Sequence, residues 1–436
     1  MKKLFKIFIV AFFSFFIVHC TLKIDNCIAQ TGWFPLNSGT TESLQSVYFT
    51  DANTGYAVGN PGTVLKTTDA GDNWFSQTIP TTEILHYVLF TDVNTGYIAS
   101  GVYASFAGNL FKTTNGGNSW NAQILPKYAH YYSIYFNNSN TGYVSGYQTI
   151  LKTTNAGITW QYHEFSNYGF INSIYFVDIN TGFATGSKSY YDLVIIKTTD
   201  GGSNWFDTFT NPTYGYFFYG INFIDANTGV AVGGFTQPGN AFILRTTNGG
   251  MNWDWVDYIF NNNDIYWSVR FVSPSIVYVA GGMTGYGAIL ISTNGGLNWS
   301  PQTSNSNNFL RGSYFTSLNT GYVVGVGGTI LKTTDGGGTG IIPISNQIPD
   351  KFSLSQNYPN PFNPSTVISF QLLVVGQVLL KVFDILGKEI TTLVNEQLQP
   401  GTYEVTFDGS NLSNGVYFYK LQTGNFLSIK KMLLIK

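Results

Sequence analysis

The first feature of this sequence with the makings of chemistry is a carboxylate at fixed spacing from a hydroxyl, a glycine and a tryptophan. It stands at Thr67-Thr68-Asp69-Ala70-Gly71-Asp72-Asn73-Trp74 and returns as KTTNGGNSW at 112–120, KTTNAGITW at 152–160 and KTTDGGSNW at 197–205. Further copies are RTTNGGMNW at 245–253, ISTNGGLNW at 291–299 and a truncated KTTDGGG at 332–338. A metal ligand or general acid needs an ionisable group in each copy. Asp69, Asp200 and Asp335 supply one, but Asn115, Asn155, Asn248 and Asn294 hold the same place in the other copies. A neutral amide cannot shuttle a proton as a carboxylate does, whereas either side chain caps a turn. The repeated box is therefore structural.

Other candidate groups are scattered. Glu42, Glu83, Glu164, Asp192, Asp257 and Asp264 lie outside the repeated turns. A glycoside hydrolase needs two carboxylates across a cleft, and Asp192 and Asp264 are the candidates for that alternative. His86, His130 and His163 sit in three different repeats without short ligand spacing, so no metal site and no cofactor are expected. Arg245, Arg270 and Arg311 are the only arginines and the formal net charge is −2, which leaves no phosphate-tracking stripe for nucleic acid. Nucleotide-binding loops and a Ser-His-Asp order are missing.

The elements that must position these residues are short strands. Charged residues are only 10% of the chain, aromatics 17%, and 48 residues are glycine, a composition that favours an all-β fold. One unit reads as a strand ending at Phe49, an Asp51-Ala52-Asn53-Thr54-Gly55 hairpin turn, a second strand, a third at Thr63 to Thr67, the box, and a fourth strand from Trp74. Four short antiparallel strands repeated every 40 to 50 residues make a propeller blade. The last copy lacks its tryptophan strand, and Trp33 precedes the first copy as an orphan fourth strand. Trp33 is thus expected to complete the seventh blade and close the ring.

In such a blade the boxes and the Asp-Asn-Thr-Gly turns share one face. The other connections vary in length and form the face where binding resides. Aromatics are dense there, with Tyr131, Tyr132, Tyr190, Tyr191, Tyr216, Tyr266 and Trp267 as the candidate ligand platform for sugar rings or a protein surface.

The recurring (S/T)-x-(D/N)-x-G-x-x-W resembles the Asp-box of sialidase-like and sortilin-like propellers. With its TGYxVG strands, the segment 31–338 most resembles the photosystem II stability/assembly factor family. The resemblance implies a seven-bladed β-propeller. The arginine triad that sialidases use for a substrate carboxylate is not matched, since no arginine precedes Arg245, which stands where Lys66, Lys112, Lys152 and Lys197 stand in other copies. Asp-box endo-xyloglucanases clamp substrate between two propellers, and this chain carries one.

Lys2, Lys3 and Lys6 before the apolar run Ile7 to Val18 have the layout of a signal peptide, assigned to residues 1–29, with lipidation at Cys20 as the competing processing route. Cleavage after Ala29 would remove both cysteines. Residues 339–350 read as a linker, and 351–436 as several short strands forming a small immunoglobulin-like β-sandwich. The opening NYPNPFNP, the strand GVYFYKL and the terminal KKMLLIK resemble the type A C-terminal sorting domain of the type IX secretion system. That resemblance implies a partner, the type IX secretion machinery, and a location, secreted or on the outer-membrane surface of a Gram-negative bacterium. The expectation is a monomeric exported binding or adhesion module for an extracellular glycan or protein, with a polysaccharide-active hydrolase as the alternative.

Overall fold

The computed structural model describes residues 32–436 apart from 103–104, 189–191, 213–214, 236–240, 258–263, 284, 338–340, 346–347, 399 and 410–411. The expected signal peptide and Tyr190 and Tyr191 lie outside the described residues. Among the described residues the fold is all-β, with seven four-stranded antiparallel sheets followed by two further four-stranded sheets.

Blade 1 comprises Leu44–Phe49, Gly55–Gly59, Thr63–Thr67 and Phe75–Gln77, paired in that order. Blades 2 to 6 repeat the pattern over residues 84–122, 131–164, 168–211, 216–257 and 265–302. Blade 7 takes three strands, Leu310–Phe315, Gly321–Gly325 and Ile330–Thr333, from the end of the repeat and its outer strand, Phe34–Leu36, from the start. Trp33 is fully buried, and its indole N–H donates to Gln302 Oε1 at 2.8 Å. Phe34–Leu36 pairs antiparallel with Ile330–Thr333.

Each turn satisfies its own backbone groups. Asp51 Oδ1 accepts the N–H groups of Asn53 and Thr54, both at 2.7 Å. In the box, Thr67 Oγ accepts the Gly71 N–H at 2.9 Å and donates to Asp69 Oδ1, which in turn accepts the Asn73 N–H at 2.9 Å. Asn115 Oδ1 takes the same part toward Thr113 and the Ser119 N–H. The cap needs an acceptor oxygen and not a charge, which is why Asp and Asn alternate.

Blades are joined by a recurring clasp. Tyr56 Oη and Lys66 Nζ of blade 1 both donate to the Gly116 carbonyl in the box of blade 2, at 2.9 and 2.7 Å. Tyr97 and Lys112 repeat this on Ala156, and Tyr143 and Lys152 on Gly201. Arg245 Nε reaches the Gly295 carbonyl at 2.7 Å, so this arginine is a clasp residue. The ring of Tyr56 also stacks on Phe90 of blade 2 at 4.1 Å, with Trp120 edge-on to Phe90. A Cβ on Gly96 would lie 2.7 Å from the Phe90 ring, so only glycine permits this inter-blade stacking.

The last two sheets form the C-terminal sandwich. One contains Ile341–Ser345, Gly401–Asp408, Ser365–Leu372 and Ser353–Leu354; the other contains Glu389–Leu398, Gly376–Phe383, Gly415–Thr423 and Phe426–Leu434. Ile368, Phe370, Val378, Leu380, Val405, Leu421 and Met432 fill the space between them. Ile341–Ser345, expected as part of a linker, forms a strand that pairs antiparallel with the strand starting at Gly401. Tyr419 Oη anchors the start of the NYPNPFNP stretch by accepting the Asn357 N–H and donating to the Ser355 carbonyl, both at 2.8 Å.

Candidate ligand-binding cavity

The first strand of each blade is innermost and ends in a buried or half-buried phenylalanine: Phe49, Phe90, Phe136, Phe176, Phe223, Phe271 and Phe315. Counting back from these aligns the channel wall. The residues one position before them are Tyr48, Leu89, Tyr135, Tyr175, Asn222, Arg270 and Tyr314. Three before are Ser46, Tyr87, Ser133, Ser173, Gly220, Ser268 and Gly312. Four before are Gln45, His86, Tyr132, Asn172, Tyr219, Trp267 and Arg311. A register shift just upstream in most of these strands, for example between Leu44 and Ser46 or Tyr266 and Ser268, lets two consecutive residues face the channel. All but Tyr314 of these residues line a cavity of about 340 Å³ that also takes in Phe170 and Phe217.

Six of the seven middle positions carry serine or glycine, and the seventh carries Tyr87. Its phenol crosses from blade 2 to blade 6, where Arg270 Nη2 donates to Tyr87 Oη at 3.1 Å. Arg270 Nε donates to the Ser313 carbonyl at 3.3 Å. The channel is thus barred at mid-height by a tyrosine–arginine bridge. Burial holds the phenols of Tyr48, Tyr135, Tyr175 and Tyr314 above their usual range, so they are neutral hydroxyls. Tyr87 and its neighbours in turn hold the Arg270 proton more firmly. Among the described residues no aspartate or glutamate lines the cavity, and Arg270 is in no ion pair.

The upper ring is aromatic and positive. Trp267 stacks on Tyr219 at 4.0 Å, and the Arg311 guanidinium lies 4.6 Å from the Trp267 ring while Nη1 donates to Gln45 Oε1 at 2.7 Å. Tyr132 stacks on His130 at 4.4 Å. His130 Nε2 meets His86 Nε2 at 2.5 Å, so one ring donates and the other accepts. Burial lowers His130 to about 4 and drives His86 well below the usual histidine range, with repulsion from His130 and Arg311 adding to the latter. Both are neutral at pH 7.

Of the aromatics proposed from sequence, Tyr132 and Trp267 line the cavity. Tyr131 and Tyr266 are fully buried in inter-blade cores, the Tyr131 hydroxyl bonding to the Lys127 carbonyl. Each sits one residue before a cavity residue, on the opposite side of its strand. Tyr216 is half-buried against Phe235 and Phe242. The structure does not bring Asp192 and Asp264 to the cavity: Asp192 opens the third strand of blade 4, and Asp264 precedes the first strand of blade 6. Asp264 is buried, its Oδ1 has no hydrogen-bond partner, and burial raises its carboxyl to about 6. Glu83 is tied to the Ser100 hydroxyl and to Asn109 Nδ2, and Glu164 to Lys127 at 2.8 Å. No metal-binding group of His, Cys, Asp and Glu occurs among the described residues. Sequence reading missed Tyr87, Arg270 and Arg311 as cavity residues, although alignment on the terminal phenylalanines places all three.

Residues 356–436 match the secretion system C-terminal sorting domain, which marks a chain exported by the type IX system to the cell surface or beyond. This domain implies interaction with that secretion machinery. No curated protein matches the sequence. Among solved structures, the chain is similar to "YCF48 bound to D1 peptide", with 20% identity and a TM-score of 0.55, covering 70% of this chain and 97% of that one. It is also similar to YCF48 from Cyanidioschyzon merolae (20% identity, TM-score 0.56, 70% and 99% covered). A third likeness is to the extracellular domain of the one-component system BT4673 from B. thetaiotaomicron (12%, TM-score 0.53, 93% and 59% covered). At these identities the likeness shows the fold.

Proposed function

We propose that the exported propeller is a binding module without catalytic turnover, taking its ligand into the central cavity from the variable-loop face. The observation that carries this is the cavity itself: an aromatic upper ring, two guanidinium groups and a tyrosine–arginine bridge across the middle, with no lining carboxylate among the described residues. Concave sites with aromatic walls and a few convergent polar groups are the usual form of small-ligand sites. The propeller solved with a D1 peptide supports a binding role for this architecture.

The hydrolase alternative draws its support from Asp264, whose raised carboxyl suits a general acid. It needs a second carboxylate about 5 to 10 Å away, and Asp192 belongs to a different blade. Screening the purified full chain against a glycan array and a peptide library, followed by a turnover assay on each hit, tests both. Saturable binding without product supports the module; product formation abolished by Asp264→Asn would replace it with the hydrolase.

A further inference from the structure

Resting on the binding-module reading, we propose that the cavity takes an acidic sugar residue of a uronate-containing saccharide, its carboxylate seated on Arg270 beside the Tyr87 bridge. Guanidinium is permanently charged and carries five donors. Arg270 uses Nε and Nη2 on Ser313 and Tyr87, and among the described residues no carboxylate pairs with it. An enclosed charge without a counter-ion is unfavourable, and a planar carboxylate meets the open side of the fork in bidentate geometry. Tyr87 accepts from Arg270, so its own hydroxyl proton is directed elsewhere and is placed to donate to the same anion.

The rest of the wall selects the ligand class. Ser133 and Ser173 bring hydroxyl groups to the cavity wall. Among the described residues, Asn172 uses Nδ2 on the Phe218 carbonyl, and Asn222 uses Oδ1 toward the Phe271 N–H. This leaves a belt of hydroxyl and amide groups, able to donate and accept, at the level of the bridge. Sugar hydroxyls also donate and accept, whereas a peptide side chain fills such a belt with fewer matched groups. The aromatic rim above suits the apolar face of a pyranose.

The test is calorimetric titration of the full chain with trimers of galacturonate, glucuronate and mannuronate, each against its methyl-esterified form, and with a tripeptide ending in a free carboxylate. The expected result is binding of at least one uronate trimer, with the ester at least about tenfold weaker and affinity falling as salt rises. Arg270→Gln is expected to lose about tenfold or more, and Arg270→Lys, which keeps charge but not the fork, to lose affinity by a smaller factor. Both variants are checked for folding by tryptophan fluorescence; if the glutamine variant does not fold, the lysine variant and the ester comparison decide. Equal binding of acid and ester, failure of all three uronates, or unchanged affinity in a folded Arg270 variant overturns the proposal. Preference for the tripeptide, or for a neutral glycan on the array, would overturn it while leaving the module reading intact; no hit of any class would remove both.

Discussion

Replacing Asp264 by asparagine should stabilise the propeller at neutral pH and leave it unchanged in acid. The carboxyl is buried and Oδ1 lacks a partner. Burial raises it from the usual 3.8 to about 6. A raised carboxyl binds its proton more tightly folded than unfolded, so the contribution is favourable below pH 4 and is lost as pH rises through 6. A gap of about two units at about 1.4 kcal/mol each gives an upper bound of about 3 kcal/mol at pH 7.5. The carboxyl is not wholly desolvated, which reduces this to about 1 to 2 kcal/mol. Asparagine has the same shape without the charge. All nine tryptophans lie in the propeller, so urea unfolding followed by tryptophan fluorescence reports on it and not on the sandwich. Midpoints measured at pH 4, 5, 6 and 7.5 should diverge in favour of the variant only above about pH 5. Equal or lower stability of Asp264→Asn at pH 7.5 would refute the reasoning, because it would mean that the carboxylate is compensated in the folded state.

Three further outcomes follow from the geometry. His130 is neutral in the fold and titrates at about 4, so between pH 6.5 and 4 the unfolded chain binds the extra proton and stability falls on acidification by up to about 3 kcal/mol; a pH series of melting curves should show this slope, reduced in His130→Asn. Thr67→Val should cost about 1 to 3 kcal/mol by stranding the Gly71 N–H, whereas Asn115→Asp should stay within about 0.5 kcal/mol; comparable losses in both would contradict the capping role of the box. Trp33→Ala should cost about 3 to 5 kcal/mol and expose the edge of blade 7 to proteolysis, and an unchanged digestion pattern would count against closure through this strand.

Much of the fold was legible because it is local and repeated. The box, the Asp-Asn-Thr-Gly turn and the alternating strands each satisfy their own backbone within a few residues, so sevenfold recurrence displays the blade directly. The outer strand of blade 7 was legible because Trp33 reads as a detached fourth strand and the last repeat copy lacks one. The cavity was less so. Tyr131 and Tyr132, or Tyr266 and Trp267, are equivalent in composition, yet a register shift in the first strand sends one to the core and the next to the channel. The Tyr87–Arg270 contact spans 183 residues, beyond any local pattern. Ile341–Ser345 escaped as a strand because its partner near Gly401 lies far along the chain.

The copies within one chain are also a control on one another. The first strand ends in phenylalanine in all seven, and the box position holds only Asp or Asn. The upper channel ring holds Gln45, His86, Tyr132, Asn172, Tyr219, Trp267 and Arg311, six residue types in seven equivalent places. Packing cannot demand this variety, because the neighbouring backbone is the same in each blade and accepts the same residue elsewhere on the strand. Nor does solubility demand it, since these side chains point into an enclosed space and stack on one another. A ring that is uniform where it holds itself together and asymmetric where it encloses a cavity has the form expected of a site shaped to an asymmetric ligand. The single large residue of the middle ring, Tyr87, meets the single charged residue of the lower ring, Arg270, and so gives that asymmetry a direction.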